Sequence, residues 1–143
     1  MNCFDYRTRV LYADTDQMGI TYYANYLKWF EAARTEYFRA LGFPYTECEK
    51  KGIYLPVVEA HVNYLAPSTY DDDITVRTSV AEIGNSTLRF EYQVMNAKTQ
   101  IAIATGHTLH VFVTKDMKPC RVPAEIKAVV QEHVLLKKRC RCK

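Results

Sequence analysis

Two periodicities divide the chain. From Phe4 to Tyr12 the positions alternate, with Tyr6, Thr8, Val10 and Tyr12 on one side, which is the two-residue repeat of a half-buried strand. Gly19 breaks that pattern, and from Tyr22 to about Leu41 there is no Gly or Pro until Gly42-Phe-Pro44 supplies a stop. Within this span Tyr23, Tyr26, Leu27, Trp29, Phe30, Ala33, Tyr37, Phe38 and Leu41 cover most of the circumference of a helix. Lys28, Glu31, Thr35 and Arg39 form one narrow polar stripe. A helix this apolar is predicted to be mostly buried.

Alternation then returns in four further segments. Val57 to Leu65 is bounded by Pro56 and Pro67, and Ile74 to Val80 follows the Asp71-Asp-Asp73 turn. Leu88 to Val94 follows a tight connection at Gly84-Asn85, the pattern of a hairpin with the strand before it. Gln100 to Thr114 reads as a long strand with a bulge predicted at Gly106, and Asp116-Met-Lys-Pro119 ends it. Val122-Pro-Ala-Glu125 opens a final short helix, with Pro123 near its first turn. Connections this short favour antiparallel pairing. The expectation is a single α+β domain in which an antiparallel five-stranded sheet wraps around one long buried helix.

The 143 residues allow one domain with a real core, and there is no linker or internal repeat to suggest a second. The formal charge of +3 is concentrated at the end, where Lys137-Lys-Arg-Cys-Arg-Cys-Lys143 carries five positive charges, so the body is slightly acidic and is not built as a nucleic-acid surface. That basic stretch, 137–143, is expected to be a disordered, solubilising tail. No apolar run approaches a membrane span, and Met1-Asn-Cys-Phe-Asp-Tyr lacks the order of a signal peptide. Five cysteines, odd in number and mostly far apart, suit a reducing cytoplasm. They show no zinc-site spacing, so no metal is expected.

The segment that carries chemistry is Tyr12-Ala-Asp-Thr-Asp16-Gln-Met-Gly-Ile-Thr-Tyr-Tyr-Ala-Asn-Tyr-Leu27. A carboxylate just ahead of a helix N-terminus sits beside unpaired backbone N–H groups and the positive end of the helix dipole. Such amides can polarise a carbonyl oxygen while the carboxylate works on its carbon. Asp14-Thr-Asp16-x-x-Gly19 with Asn25-Tyr26-Leu27 following resembles the active-site segment of hot-dog-fold acyl-CoA thioesterases of the 4-hydroxybenzoyl-CoA thioesterase family. The resemblance implies the hot-dog fold, which the hydrophobic pattern reaches independently.

It also implies a role for each matching residue. Asp16 stands at the catalytic carboxylate, as nucleophile or as base for water, the rival reading being a capping aspartate. The Tyr23 amide stands at the carbonyl polariser, and Gly19 either admits the substrate without a Cβ or simply makes a turn. Many thioesterases resembling this one carry His in place of Tyr23, whereas the hydroxybenzoyl branch carries Tyr, a poor base with a reference pKa of about 10. Asp14 is expected to hold the loop. Glu31 meets the acyl group from a neighbouring subunit in the hydroxybenzoyl branch; here it does that or pairs with Arg34 or Thr35. Tyr26, with Phe30 or Tyr64, is a candidate lining for the acyl group. For coenzyme A phosphates the candidates are Ser86, at the matching hairpin, and Arg89, Lys118 and Arg121 by charge and position.

The function this implies is hydrolysis of an acyl-CoA, or of an acyl carrier protein ester, by a cytoplasmic homodimer or homotetramer without a cofactor. Rivals are a non-catalytic acyl-CoA-binding module, a hydratase of the same fold, for which no His–carboxylate pair is evident, and a basic nucleic-acid binder. Membrane association is not expected.

Overall fold

The computed structural model describes residues 3–141. Its elements run β1 (Phe4–Arg9), a 3-10 turn (Tyr12–Asp14), α1 (Asn25–Ala40), α2 (Tyr45–Lys50), β2 (Val57–Tyr64), β3 (Asp73–Ile83), β4 (Thr87–Asn96), β5 (Ala102–Val111) and α3 (Ala124–Arg141). The five strands form one antiparallel sheet in the order β1-β3-β4-β5-β2, so β1 and β2 are its edges. α1 lies against the sheet, and the expected α+β architecture is met.

β1 illustrates how the pattern acts. Phe4, Tyr6 and Thr8 turn inward while Asp5, Arg7 and Arg9 face water. The outward charges meet opposite charges on β3: Asp5 stands across from Arg77, whose guanidinium takes both carboxylate oxygens at 2.9 and 3.0 Å, and Arg7 reaches Asp73 at 2.7 Å.

α1 buries Tyr26, Trp29, Phe30, Ala33, Tyr37 and Phe38, an i, i+3, i+4, i+7 stripe. Removing such side chains from water stabilises by about 1.5–3 kcal/mol each. The helix is narrower in its burial than the sequence suggests: Leu27 is exposed beside Lys28 and Glu31, and Tyr22 and Tyr23 precede the helix and are exposed. Phe30 stacks flat on Tyr92 of β4, centroids 4.1 Å apart.

This stack corrects the reading of Gly106. It pairs in unbroken register with Val62 on one side and Tyr92 on the other, so it is no bulge; the irregularities fall at 57/59, 80/82 and 94/95. A Cβ built on Gly106 would lie 2.6 Å from Phe30 Cε2 and would also overlap the His61 carbonyl oxygen. The glycine is there because helix and sheet touch at that point.

α2, which the hydrophobic pattern did not indicate, follows Pro44 and packs Tyr45 and Cys48 against the core. At the other end, α3 carries the backbone helix through Arg141, so positions 137–141 continue a helix where an unstructured tail was expected; the last two residues lie outside the described range.

Candidate active site

The motif segment folds as a small hairpin and a turn into α1. Thr15 bridges Thr21, the Asp16 amide donates to the Ile20 carbonyl at 2.9 Å, and the Gly19 amide closes a four-residue turn onto the Asp16 carbonyl at 3.0 Å. Gly19 has φ +78° with open space around it. Its requirement is therefore conformational, the turn reading.

Asp14 is the hub. It is buried, and its carboxylate accepts the Leu11 amide at 3.0 Å and the Lys28 ammonium at 2.7 Å. Its carbonyl accepts the Tyr22 amide and the Asn25 side-chain amide, both at 2.8 Å. One residue thus binds the loop both to the first turn of α1 and to Lys28 farther along it. Asp14 is structural, as expected, and Asn25 is its partner from the helix, a role the motif's spelling did not disclose.

Behind the loop sits a buried hydroxyl cluster. Thr21 Oγ1 lies 2.6 Å from Ser68 Oγ, which lies 3.0 Å from the Tyr26 hydroxyl, and the Thr21 amide donates to the Ser68 carbonyl at 2.8 Å. Burial pushes the Tyr26 phenol pKa up, against the lowering effect of these hydrogen bonds. Tyr26 is 3% exposed in the protomer. It is a pillar under the loop rather than a surface that a ligand meets, and Phe30 is equally enclosed. Tyr64 is exposed and donates its hydroxyl to the Tyr23 carbonyl at 2.8 Å, joining the end of β2 to the entrance of α1.

Asp16 is half-exposed. One of its carboxylate oxygens accepts the Met18 amide at 2.9 Å, and no described residue donates to the other. It caps its own turn, therefore, and keeps an oxygen free. It is not the N-cap of α1, a position Ala24 takes without any side-chain bond. Among the described residues no acceptor takes the amides of Tyr23 or Ala24. Tyr22 is on the same surface: the neighbouring Tyr23 hydroxyl is the main influence raising its pKa, with the Asp16 charge adding to it.

The remaining candidates are not gathered here. Glu31 stands exposed on α1, roughly 9 Å beyond Asn25 at 1.5 Å per residue. Ser86 and Arg121 come together at one hairpin, where the Phe112 amide donates to the Ser86 carbonyl at 2.7 Å and the Val122 amide to the Asn85 carbonyl at 2.8 Å. Arg89, half-buried, follows on β4. This end is separated from the motif by the length of β3, roughly 33 Å at 3.3 Å per residue. Within one protomer the structure does not bring them to Asp16. Lys118 is exposed in the turn after β5. His61 and His107 stack on the sheet at 5.4 Å, and His110 is buried, with Leu55 and Thr108 and no described cysteine as its hydrogen-bond partners.

The profile of the thioesterase-like superfamily matches residues 10–132. An acyl-CoA thioesterase, YbgC, of Haemophilus influenzae is 38% identical over 89% of this chain and 93% of its own length. A solved gentisyl-coenzyme A thioesterase superposes with TM-score 0.80 at 32% identity, over 86% of this chain and 98% of that one. A hypothetical protein of Aquifex aeolicus superposes with TM-score 0.84 at 35% identity, over 89% of this chain and 98% of the other.

Proposed function

The chain belongs to the thioesterase-like superfamily, and on that premise we propose that it is an acyl-CoA thioesterase, cleaving an acyl-coenzyme A to the free acid and coenzyme A. The observation that carries the reading is the half-exposed Asp16 with one oxygen unengaged, presented by a loop that Asp14 locks to α1 and that leads on to the Tyr23 and Ala24 amides, which no described acceptor takes. A thioester needs little more. Its carbonyl carbon is electrophilic and its thiolate leaves readily, so one carboxylate and one polarising amide suffice in principle.

Two routes are open to Asp16. As a nucleophile it bonds to the acyl carbon, the C–S bond breaks, and the thiolate takes a proton from solvent; water then cleaves the mixed anhydride. As a base it takes a proton from water while the water oxygen bonds to the acyl carbon, and that proton ends on the departing thiolate. In both, charge grows on the carbonyl oxygen, and on this reading the Tyr23 amide donates to it. The Tyr23 phenol is not needed as a base.

The assembly is part of the proposal. β2 is an edge strand with Val57 and Val58 exposed, and a second copy pairing there would cover them. The Arg89 or Arg121 that holds coenzyme A would then belong to another copy, because these lie far from Asp16 in the same one. Among the described residues no helix is long and apolar enough to cross a membrane.

The test is hydrolysis of a panel of short, long and aromatic acyl-CoAs, followed by loss of thioester absorbance. Asp16→Asn is expected to lower kcat/KM by about 10²-fold or more with the fold intact. A parent that binds these esters without turning any over, or an unimpaired variant, leaves a binding module as the better reading.

A further inference from the structure

A second recess lies away from the motif, between α1, α2 and the segment leading into β2. It is a cleft of about 130 Å³ whose walls include Arg34, Tyr45, Cys48 and Leu55, with Glu31 and Glu49 among its lining. Two features set it apart from an ordinary gap between helices. The Tyr45 hydroxyl is buried beside the Arg34 guanidinium and makes no hydrogen bond of good geometry with a described residue. Among the described residues the arginine ion pairs are those of Arg7, Arg9, Arg39 and Arg77, and Arg34 is not one of them.

The core beneath the cleft shows where the neighbouring protons go. Burial lowers the His110 pKa to about 4, so its ring is neutral at neutral pH. Its Nδ1 faces the Leu55 carbonyl at 3.1 Å, and a carbonyl only accepts, so Nδ1 carries the proton. Nε2 must then accept from the Thr108 hydroxyl at 2.8 Å, and Thr108 in turn accepts from the Tyr92 hydroxyl at 2.7 Å. All the protons in this chain run one way, from the Tyr92 hydroxyl to the Leu55 carbonyl. Arg34 stands at its head: burial raises the phenol pKa values of Tyr92 and Tyr45, and the nearby guanidinium charge opposes that in both. The Tyr92 proton is thus spent on Thr108, the Tyr45 hydroxyl is left without a well-formed hydrogen bond, and the Arg34 guanidinium, with five N–H groups, faces two phenols and no described carboxylate. A buried hydroxyl without a partner costs about 1–3 kcal/mol, which a ligand acceptor would recover.

We propose that this cleft is a carboxylate-binding site, in which the Arg34 guanidinium and the Tyr45 hydroxyl donate to the ligand's two oxygens. The fork of a guanidinium matches a planar carboxylate. Glu31 and Glu49 are exposed at the margin, where solvent screens them, but they disfavour a dianion such as phosphate. The carboxylate has two conceivable sources. It is the far end of the acyl group of a thioester, a case that rests on the thioesterase reading, or it is a free small carboxylate.

The experiment titrates the full chain with benzoate, glutarate and inorganic phosphate by calorimetry. Parent protein is expected to bind the carboxylates and not phosphate. Arg34→Gln should weaken binding at least tenfold and Tyr45→Phe several-fold, while Arg34→Lys, which keeps the charge and loses the fork, should fall between. Thermal melts of each variant confirm the fold. A parent that binds neither carboxylate, or variants that bind as the parent does, overturns the proposal. A kinetic arm separates the sources: glutaryl- and sebacoyl-coenzyme A against their methyl esters. If Arg34→Gln lowers kcat/KM tenfold for a free-acid ester and leaves its methyl ester unchanged, the acyl end is the ligand. If carboxylates bind but both esters respond alike, a free carboxylate is. If no ester turns over, the thioesterase reading fails on its own, and the calorimetry still decides the site.

Discussion

Replacing Gly106 with alanine isolates the contact that sets α1 on the sheet. The residue is not in the left-handed region, so its backbone accepts alanine without torsional strain and the effect is purely one of space. The new Cβ would stand 2.6 and 2.8 Å from two Phe30 ring carbons, where carbon atoms settle at about 3.5–4.0 Å. The ring must therefore retreat by about 1 Å, and it has nowhere to go: Phe30 is fully buried and lies 4.1 Å from Tyr92, planes 4° apart. The His61 carbonyl on the other side is backbone and cannot rotate away. Overpacking of this kind costs about 1–3 kcal/mol, and the backbone contact argues for the upper half of that range. With a urea m-value of about 2 kcal/mol/M, the midpoint should fall by about 1 M. In a thermal melt each kcal/mol is worth about 2–4 °C at this size, so Tm should fall by about 5–10 °C. Phe30→Leu provides the control. Alone it destabilises by losing the stack, but it makes room, so the double variant should be less destabilised than the sum by about 1 kcal/mol. A Gly106→Ala midpoint within 0.3 M of the parent (roughly 0.5 kcal/mol), or strict additivity with Phe30→Leu, would refute the reasoning and return Gly106 to the role of an incidental strand glycine.

Tyr26→Phe removes one hydroxyl from the Thr21–Ser68–Tyr26 cluster and should cost about 1–2 kcal/mol in denaturant while leaving KM unchanged; a KM effect without a stability effect would mean the phenol meets substrate. His110 makes stability fall as pH drops. Its folded pKa of about 4 lies below the 6.5 of the unfolded chain, so the stabilisation is full above pH 6.5 and is lost progressively down to about pH 4, by up to about 3 kcal/mol. His133 is shifted in the same direction, chiefly by burial, and adds to the slope. Urea midpoints from pH 4.5 to 8 should show this, and His110→Gln should flatten most of it. Finally, Asp16→Asn and Arg121→Glu, each inactive alone, should regain part of the parent activity when mixed and refolded together, and no recovery would mean that each site belongs to one chain.

What the sequence disclosed was what local periodicity controls. All five strands are present, because alternation forces one face inward whatever the partner. The Asp14–Asp16 segment was legible as a loop with one carboxylate that holds it and a second read as catalytic or capping. The errors arose where long-range contacts override local pattern. Tyr22 and Tyr23 have helical neighbours, but the Tyr22 amide is drawn back to the Asp14 carbonyl, so α1 begins at Asn25. α2 is only six residues, too short to hold by itself, and forms because Tyr45 and Cys48 pack on the core. Pro44 ahead of it, Glu47 in the first turn and Lys50 in the last were the signals available. Gly106 has two readings in a strand, bulge or close approach, and only the ring above it decides. Tyr26 looked like acyl-group lining because its hydroxyl partner, Ser68, is 42 residues away.

The separation of the candidate residues then has a physical consequence of its own. Near the motif the cations are already engaged: Lys28 with the Asp14 carboxylate, Arg9 with Asp71. Neither is free to meet a diphosphate without undoing the loop or its neighbour. Arg121 and Ser86 are free of such duties in the described structure but sit a full strand length away. On the proposed reading, a protomer therefore holds a carboxylate and polarising amides at one end, and phosphate-binding candidates at the other. Only a second copy placing its hairpin beside the first copy's motif completes the site. The exposed β2 edge and the exposed Leu27 and Tyr64 beside it are the surfaces whose burial would drive that association.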